Sequence, residues 1–408
     1  MSRNGMCSKR LTRLTPILEK HISNKALSGV VTLLERHGEI VDSQALGYLD
    51  RERALPMRPD AIFRIFSMTK PITCTALMIL FEQGKFQLTD PIEKYLPGFS
   101  GLKVLDGNRA DSPLVPIERP VTIHDLLTHM SGMTYHFSEY GAVEQMYREA
   151  NLAANIPLGD FVATLASMPL AFQPGTAWRY SFSQDVVAHL VEVLSDHSFD
   201  EFLKTNLFNP LGMSDTGFFV EDTKLDRFCA MYGAQDILDH NATASNLFNA
   251  ALQGKNNLLS DPLNCLESKP HEIYRGGHGL VSTAHDYLQF CRMMLNNGES
   301  AGERVLSRKT VELMICNHIP RRLLPIGFED GPTPGVGYGL GFGTTLDIGE
   351  AAKIGSKGEF YWSGAATTSF WIDPTESIIG IQMSQFQPSG FHAIEEDFRV
   401  GAYQAVID

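Results

Sequence analysis

Strand-forming stretches stand near both ends of this chain and helical pieces fill its middle, a pattern that suggests one sheet built from the two ends with a helical part between them. Residues 28–35, with Val30, Val31, Thr32 and Leu33, read as a strand. His37-Gly38 reads as a turn and residues 39–48 as the returning strand. So short a connection requires antiparallel pairing. Far downstream, 338–345, 360–362, 368–372 and 378–384 again read as strands, and 395–406 as a closing helix. Leu11, Leu14, Ile17, Leu18 and Ile22 place another helix ahead of the first strand. Between Leu88 and about Arg275, loops with Pro and Gly separate short helical pieces at 123–129, 141–150, 159–167, 183–194 and 199–207. A helix at 283–295 leads back to the strands. The pattern predicts an α+β fold in two parts, an α/β subdomain from 1–87 and 276–408 and a mostly helical one from 88–275. A cleft between the two parts is the expected place for a site.

The stretch that carries chemistry is 63–73, which holds Ser67 and Lys70 at S-x-x-K spacing. Ile72, Ala76, Leu77, Ile79, Leu80 and Phe81 follow at helical spacing and stop at Gln83-Gly84. Ser67 is therefore expected in or near the first turn of a helix, with the Lys70 amine on the same face. The positive end of the helix dipole would disfavour an ammonium and favour an oxyanion. Alone the spacing is weak, because it recurs at Ser100 and Lys103 in a turn with no helix behind it. An N-cap serine followed by a solvated lysine is the competing reading of Ser67.

Two further stretches bear on that choice. In 174–183 a Pro-Gly turn precedes Tyr180, and a helix begins after Ser183 with Asp185 in its first turn. A tyrosine so placed could share the Ser67 proton with Lys70, and a nearby ammonium would lower its pKa. The bland alternative is a tyrosine capping the core edge. In 361–365, Tyr361-Trp362-Ser363-Gly364-Ala365 ends an apolar strand. Its glycine would let a substrate approach the backbone, and the amides of Ser67 and Ala365 could form an oxyanion hole. The alternative is a strand end with a packed Trp.

Taken together and in this order, the three stretches resemble the serine β-lactamase and penicillin-binding-protein superfamily, in its class C-like branch. They are most similar to the family VIII carboxylesterases. Ser67-x-x-Lys70 matches the first motif, Tyr180-Ser181-Phe182 the second, and Trp362-Ser363-Gly364 stands where β-lactamases carry K-T-G. Residues 126–132, 210–213 and 277–283 resemble the family too, and the likeness runs from about Ser28 to Ser384. The resemblance implies a β-lactamase-like fold, an antiparallel sheet flanked by N- and C-terminal helices. It also implies a cofactor-free serine hydrolase with Ser67, Lys70 and Tyr180 catalytic. Phe182 replaces an asparagine, and Trp362 replaces the lysine that would bind a lactam carboxylate. Lys353-Ile354-Gly355 is a rival third motif but reads as a loop. An apolar pocket lined by Phe182, Trp362, Ser363, Gly364 and Tyr135 is expected, suited to short neutral esters. β-Lactamase, D-amino-acid peptidase and acyltransferase activities are the alternatives, and a non-catalytic scaffold is disfavoured by the intact Ser, Lys and Tyr.

Composition excludes other classes. The net charge, 34 − 47 = −13, argues against nucleic acid and anionic membrane surfaces as partners. No apolar window is long enough for a membrane span, and no secretory leader is visible, so a cytoplasmic location is expected. The six scattered cysteines read as thiols. His271, His278 and His285 recur every seven residues, yet no carboxylate or cysteine pattern completes a metal site; His129 too reads as structural. The alternating glycines from Gly335 to Gly343 read as a strand with one bare face.

Overall fold

The computed structural model describes residues 2–328 and 331–408. Helix α1 (Leu14–Ser23) turns Leu14, Leu18 and His21 inward, the one-face spacing of an amphipathic helix. It leads into β1 (Gly29–Arg36), β2 (Glu39–Asp50) and the short β3 (Leu55–Pro56). The chain then crosses to α2 (Thr69–Glu82), α3 (Ser183–Ser195), α4 (Ala244–Leu252) and α5 (Ala284–Leu295). It returns to the sheet as β4 (Val336–Tyr338), β5 (Gly343–Thr345), β6 (Phe360–Gly364), β7 (Thr368–Asp373) and β8 (Ile378–Met383), and closes with α6 (Ile394–Tyr403).

These eight strands form one sheet in the order β4-β5-β6-β7-β8-β1-β2-β3, antiparallel throughout. The two ends of the chain meet where β8 pairs with β1, Ile379 opposite Glu35 and Ile381 opposite Leu33. Both central strands are buried on both faces, and their alternation sorts side chains into two layers. Val31 and Leu33 of β1, Phe370 and Ile372 of β7, and Ile379, Ile381 and Met383 of β8 face the core that includes α2. Val30, Leu34, Trp371 and Ile378 face the opposite core, under α1 and α6. Gly380 is required there, since a Cβ would lie 2.2 Å from the Trp371 indole.

The larger core runs without a break from the sheet through α2 into the helical part, where Leu126, Phe161, Val187 and Phe199 belong to it. The single strand expected over 338–345 is instead the hairpin β4-β5, with Tyr338 paired to Gly343. Gly341, at φ +95°, reverses the chain in the left-handed region that a Cβ disfavours. The helix expected over 199–207 is α-helical only for Phe199–Leu203 and continues as a π turn over Lys204–Phe208. Among the described residues no helix is long and apolar enough to cross a membrane. All six cysteines are free thiols.

Candidate active site

Ser67 lies in a 3-10 turn, Phe66–Met68, that runs directly into α2. Phe66 just before it sits at φ +42°, a conformation costly for a bulky residue and held only where the surroundings impose it. The Phe66 ring is held there by Met231 and Ala366. One turn on, Lys70 is fully buried. Its Nζ donates to Ser67 Oγ at 3.0 Å and to the Gly277 carbonyl at 2.7 Å. No carboxylate among the described residues comes within ion-pair distance of it. Burial is the main reason its pKa falls to about 7 from the ordinary 10.5; Asp185 and Cys74 oppose the fall and Arg275 adds to it. The expected depression is thus present, but desolvation rather than the helix end is its main cause.

Tyr180 also stands beside Ser67, close enough for the serine hydroxyl to act on its phenol. Its phenol oxygen also accepts from Trp362 Nε1 at 3.2 Å. The Lys70 amine stands over the ring, 4.5 Å from its centroid, rather than against the oxygen. Burial pushes the Tyr180 phenol up, with the Ser67 hydroxyl and the Trp362 indole only partly offsetting it. The lowered pKa expected of Tyr180 is therefore corrected. Lys70 meets the ring face and is itself partly discharged at neutral pH, so it gives the oxygen no strong cation to respond to.

The end of β6 closes the site. Gly364 is obligatory, because a Cβ would fall 2.3 Å from the Ile65 carbonyl and 2.3 Å from Thr368 Oγ1. Thr368 Oγ1 donates to that same carbonyl at 3.3 Å. The strand end is thereby pressed against the segment that carries Ser67, and Ala365 comes to line the same cavity as Ser67. That cavity measures about 680 Å³, within the range of small-molecule sites. Ser67, Tyr135, Tyr180, Phe182, Trp362, Ser363, Gly364 and Ala365 all line it, while Lys70 stands behind Ser67. Tyr135 and Phe182 pack with ring centroids 4.4 Å apart and form an apolar wall.

Other parts of the wall escaped the sequence reading. Leu247 and Phe248 of α4 reach the cavity, as do Ile237, Leu238 and Phe328. The signal for α4 was present, since Thr243 and Asn246 make a capping box ahead of an apolar run. Lys353, left in a loop by the sequence, stands exposed at the cavity, 5.6 Å from the Tyr361 ring centroid. His278 lines the cavity too. His271 instead bonds the Phe218 carbonyl at 2.9 Å, and buried His129 bonds Ser181 Oγ at 3.0 Å and packs on Tyr180.

The Beta-lactamase family profile matches residues 14–404. The chain belongs to the beta-lactamase family. Its fold is the family's, an antiparallel sheet with helices on both faces. Protein Rv1367c of Mycobacterium tuberculosis is 33% identical over 373 residues, spanning 89% of this chain and 86% of the relative. Esterase EstB of Burkholderia gladioli is 36% identical over 225 residues, 54% of each chain. Among solved structures, EstCE1, described as a hydrolase with promiscuous acyltransferase activity, superposes with a TM-score of 0.78. It is 25% identical, covering 97% of this chain and 99% of that one.

Proposed function

We propose that this family member is a serine carboxylesterase that hydrolyses short neutral esters through an acyl-enzyme. The observation that carries the reading is the Lys70 amine, buried, without a carboxylate partner among the described residues and bonded to Ser67 Oγ. An amine titrating near 7 is half free base at neutral pH and suited to take a proton. In the first step Lys70 removes the Ser67 proton as Oγ attacks the ester carbonyl. The tetrahedral oxyanion is met by the amides of Ser67 and Ala365. The Lys70–Tyr180 pair then returns to the departing alkoxide the proton taken from Ser67, with Tyr180, a neutral phenol between Ser67 and Trp362, as the group that faces the leaving oxygen. Water then attacks the acyl-enzyme, giving its proton back through the same pair, and the acid leaves. How the proton is divided between Lys70 and Tyr180 is a property of the pair.

The apolar wall of Tyr135, Phe182, Phe328 and Trp362 suits an uncharged acyl or alcohol group. The esterase name of EstB supports the ester class. A second reading, acyl transfer, is favoured by one feature: the cavity has room for an acceptor alcohol beside an acyl group. EstCE1 carries that activity in its description. Hydrolysis of a short p-nitrophenyl ester, run beside a chromogenic cephalosporin, tests the proposal with Ser67→Ala as control. Ester turnover lost in Ser67→Ala supports it, and cephalosporin turnover equal to ester turnover overturns it. Acyl transfer is read from the ester product formed when an alcohol is added.

A further inference from the structure

One charged pair in this region has no part in the chemistry above. Asp185 stands in the first turn of α3, and Arg275 precedes the loop Gly276-Gly277-His278-Gly279. Both are buried, at 0% and 2% exposure. Arg275 Nε donates to Asp185 Oδ1 at 2.9 Å, and the Gly277 N–H donates to the same oxygen at 3.2 Å. The carbonyl of Gly277 is the one that accepts from Lys70 Nζ at 2.7 Å. One residue thus joins the carboxylate to the amine. The loop is pressed onto α3, for a Cβ on Gly276 would lie 2.4 Å from the Gln184 carbonyl and one on Gly277 2.8 Å from Asp185 Oδ2.

As an ion pair it is poorly satisfied. Asp185 Oδ2 and Arg275 Nη2 are buried without a hydrogen-bond partner among the described residues. The guanidinium carbon lies 3.5 Å from the Phe161 ring centroid, stacked rather than forked onto the carboxylate. A buried pair with unmet atoms is a weak contributor to stability and points to another use.

We propose that Asp185, braced by Arg275, is a positioning residue that fixes the Gly277 peptide so that its carbonyl aims the Lys70 amine at Ser67. The inference rests on Lys70 being the base. The groups around that amine are Cys74 of its own helix, Asp185 of α3, Arg275 and His278 of the glycine loop, and His129, Tyr135 and Tyr180. Burial pushes the Cys74 thiol and both phenols up and both imidazoles down, His278 to about 3, so all five are uncharged at neutral pH. Asp185 and Arg275 are left as the charges that act on Lys70, the first holding its ammonium and the second opposing it.

The test is the pH profile of kcat and kcat/KM for a C4 p-nitrophenyl ester with the full chain. In Asp185→Asn the shape is kept and the charge is lost. The acid limb of kcat/KM should move to lower pH by at least about half a unit. At the plateau kcat should fall about 10-fold while KM stays within about twofold, because the aim of the base is loosened and no substrate contact is lost. An unmoved limb with unchanged kcat, whatever the melting temperature does, overturns the proposal. If Asp185→Asn leaves Arg275 too costly to bury, Asp185→Asn/Arg275→Gln gives an uncharged pair. There a lowered kcat at unchanged KM supports the role, and wild-type kcat overturns it. A wild-type acid limb surviving in Lys70→Ala would instead remove Lys70 as the base, an outcome distinct from either.

Discussion

Two buried polar clusters lie on opposite faces of the sheet, and they are built to different standards. On the outer face, Arg399 Nη1 donates to Glu359 Oε2 at 2.6 Å, and the Tyr403 hydroxyl lies 3.1 Å from that oxygen and 2.8 Å from Asp373 Oδ2. Asp373 Oδ1 accepts from the Thr375 and Glu376 amides at 3.0 and 3.2 Å, and Thr345 Oγ1 donates to Glu359 Oε1 at 3.4 Å. Each carboxylate oxygen of that cluster has a donor. On the inner face, among the described residues, Lys70 has no carboxylate within ion-pair distance, and Asp185 Oδ2, Arg275 Nη2 and His129 Nε2 go without partners. The outer cluster clamps α6 and β7 to the start of β6. The inner one keeps unmet polar atoms behind the cavity wall, an arrangement that serves to set the Lys70 amine rather than to hold the fold together.

If the contrast is right, the inner cluster should lose activity with little loss of stability, and the outer should do the reverse. The largest effect is expected of Ser67→Ala, which removes the nucleophile and should lower kcat by at least roughly 10⁴ with an unchanged melting temperature. Steady-state rates and thermal melts check both halves. Lys70→Ala and Tyr180→Phe should each cost about 10²–10⁴ in kcat. Their double variant should lose far less than the product, since the two act as a unit. Multiplicative losses would show two independent groups. Glu359→Ala strands the buried Arg399 guanidinium, so denaturant unfolding should show a loss of about 3–5 kcal/mol while kcat/KM stays near wild type. Activity falling in step with Ser67→Ala would break the comparison.

Lys70 also lets the comparison be read as a pH dependence. Its folded pKa, about 7, lies below its ordinary 10.5. Between those values the unfolded chain binds a proton that the native one does not, so stability should rise with pH across that window. The penalty is fully present below about 7 and fades toward 10.5. Activity needs the free amine, so kcat/KM should rise through pH of about 7. Lys70→Met should lower turnover as far as Lys70→Ala does, yet stabilise the fold at pH 7 by about 1–3 kcal/mol, flattening that rise. A destabilised Met variant would mean the ammonium is well satisfied in the native state.

Much of the fold could be read from the chain because β1, β7 and β8 are apolar on both faces and must lie between helical layers. The S-x-x-K pair and Tyr180 were legible because their spacing to a turn or a helix start is local. What depends on distant packing was not. The fall of Lys70 and the rise of Tyr180 both follow from burial, which local spacing does not report. The partners Asp185 and Arg275 are 90 residues apart and meet only when the glycine loop lies on α3. The break between Tyr338 and Gly343 turned on the positive φ of Gly341, one glycine among several that could equally have lined a strand.

The smallest expected effect concerns substrate class and rests on Trp362. Its Nε1 is spent on Tyr180 Oη, at 3.2 Å, so it offers a substrate an aromatic face and no charge. A penicillin brings a carboxylate that must find a cation or strong donors once it leaves water. Lys353 is at the cavity but exposed, and Glu395 and Glu396 line the same cavity, which weakens any pull on an anion. Short neutral esters need only the apolar wall and the two amides. The kcat/KM for a C2–C6 p-nitrophenyl ester should therefore exceed that for penicillins by roughly 10²-fold or more, equivalent to about 3 kcal/mol. Trp362→Lys places a cation beside Tyr180 and should close about 10-fold of that gap. It should also lower ester turnover, because the phenol loses the indole that holds it. If Trp362→Lys leaves the ratio unchanged, the aromatic residue is not what sets the preference. The discrimination must then lie with the α4 wall of Leu247 and Phe248, where the same ratio measured in Phe248→Ala would locate it.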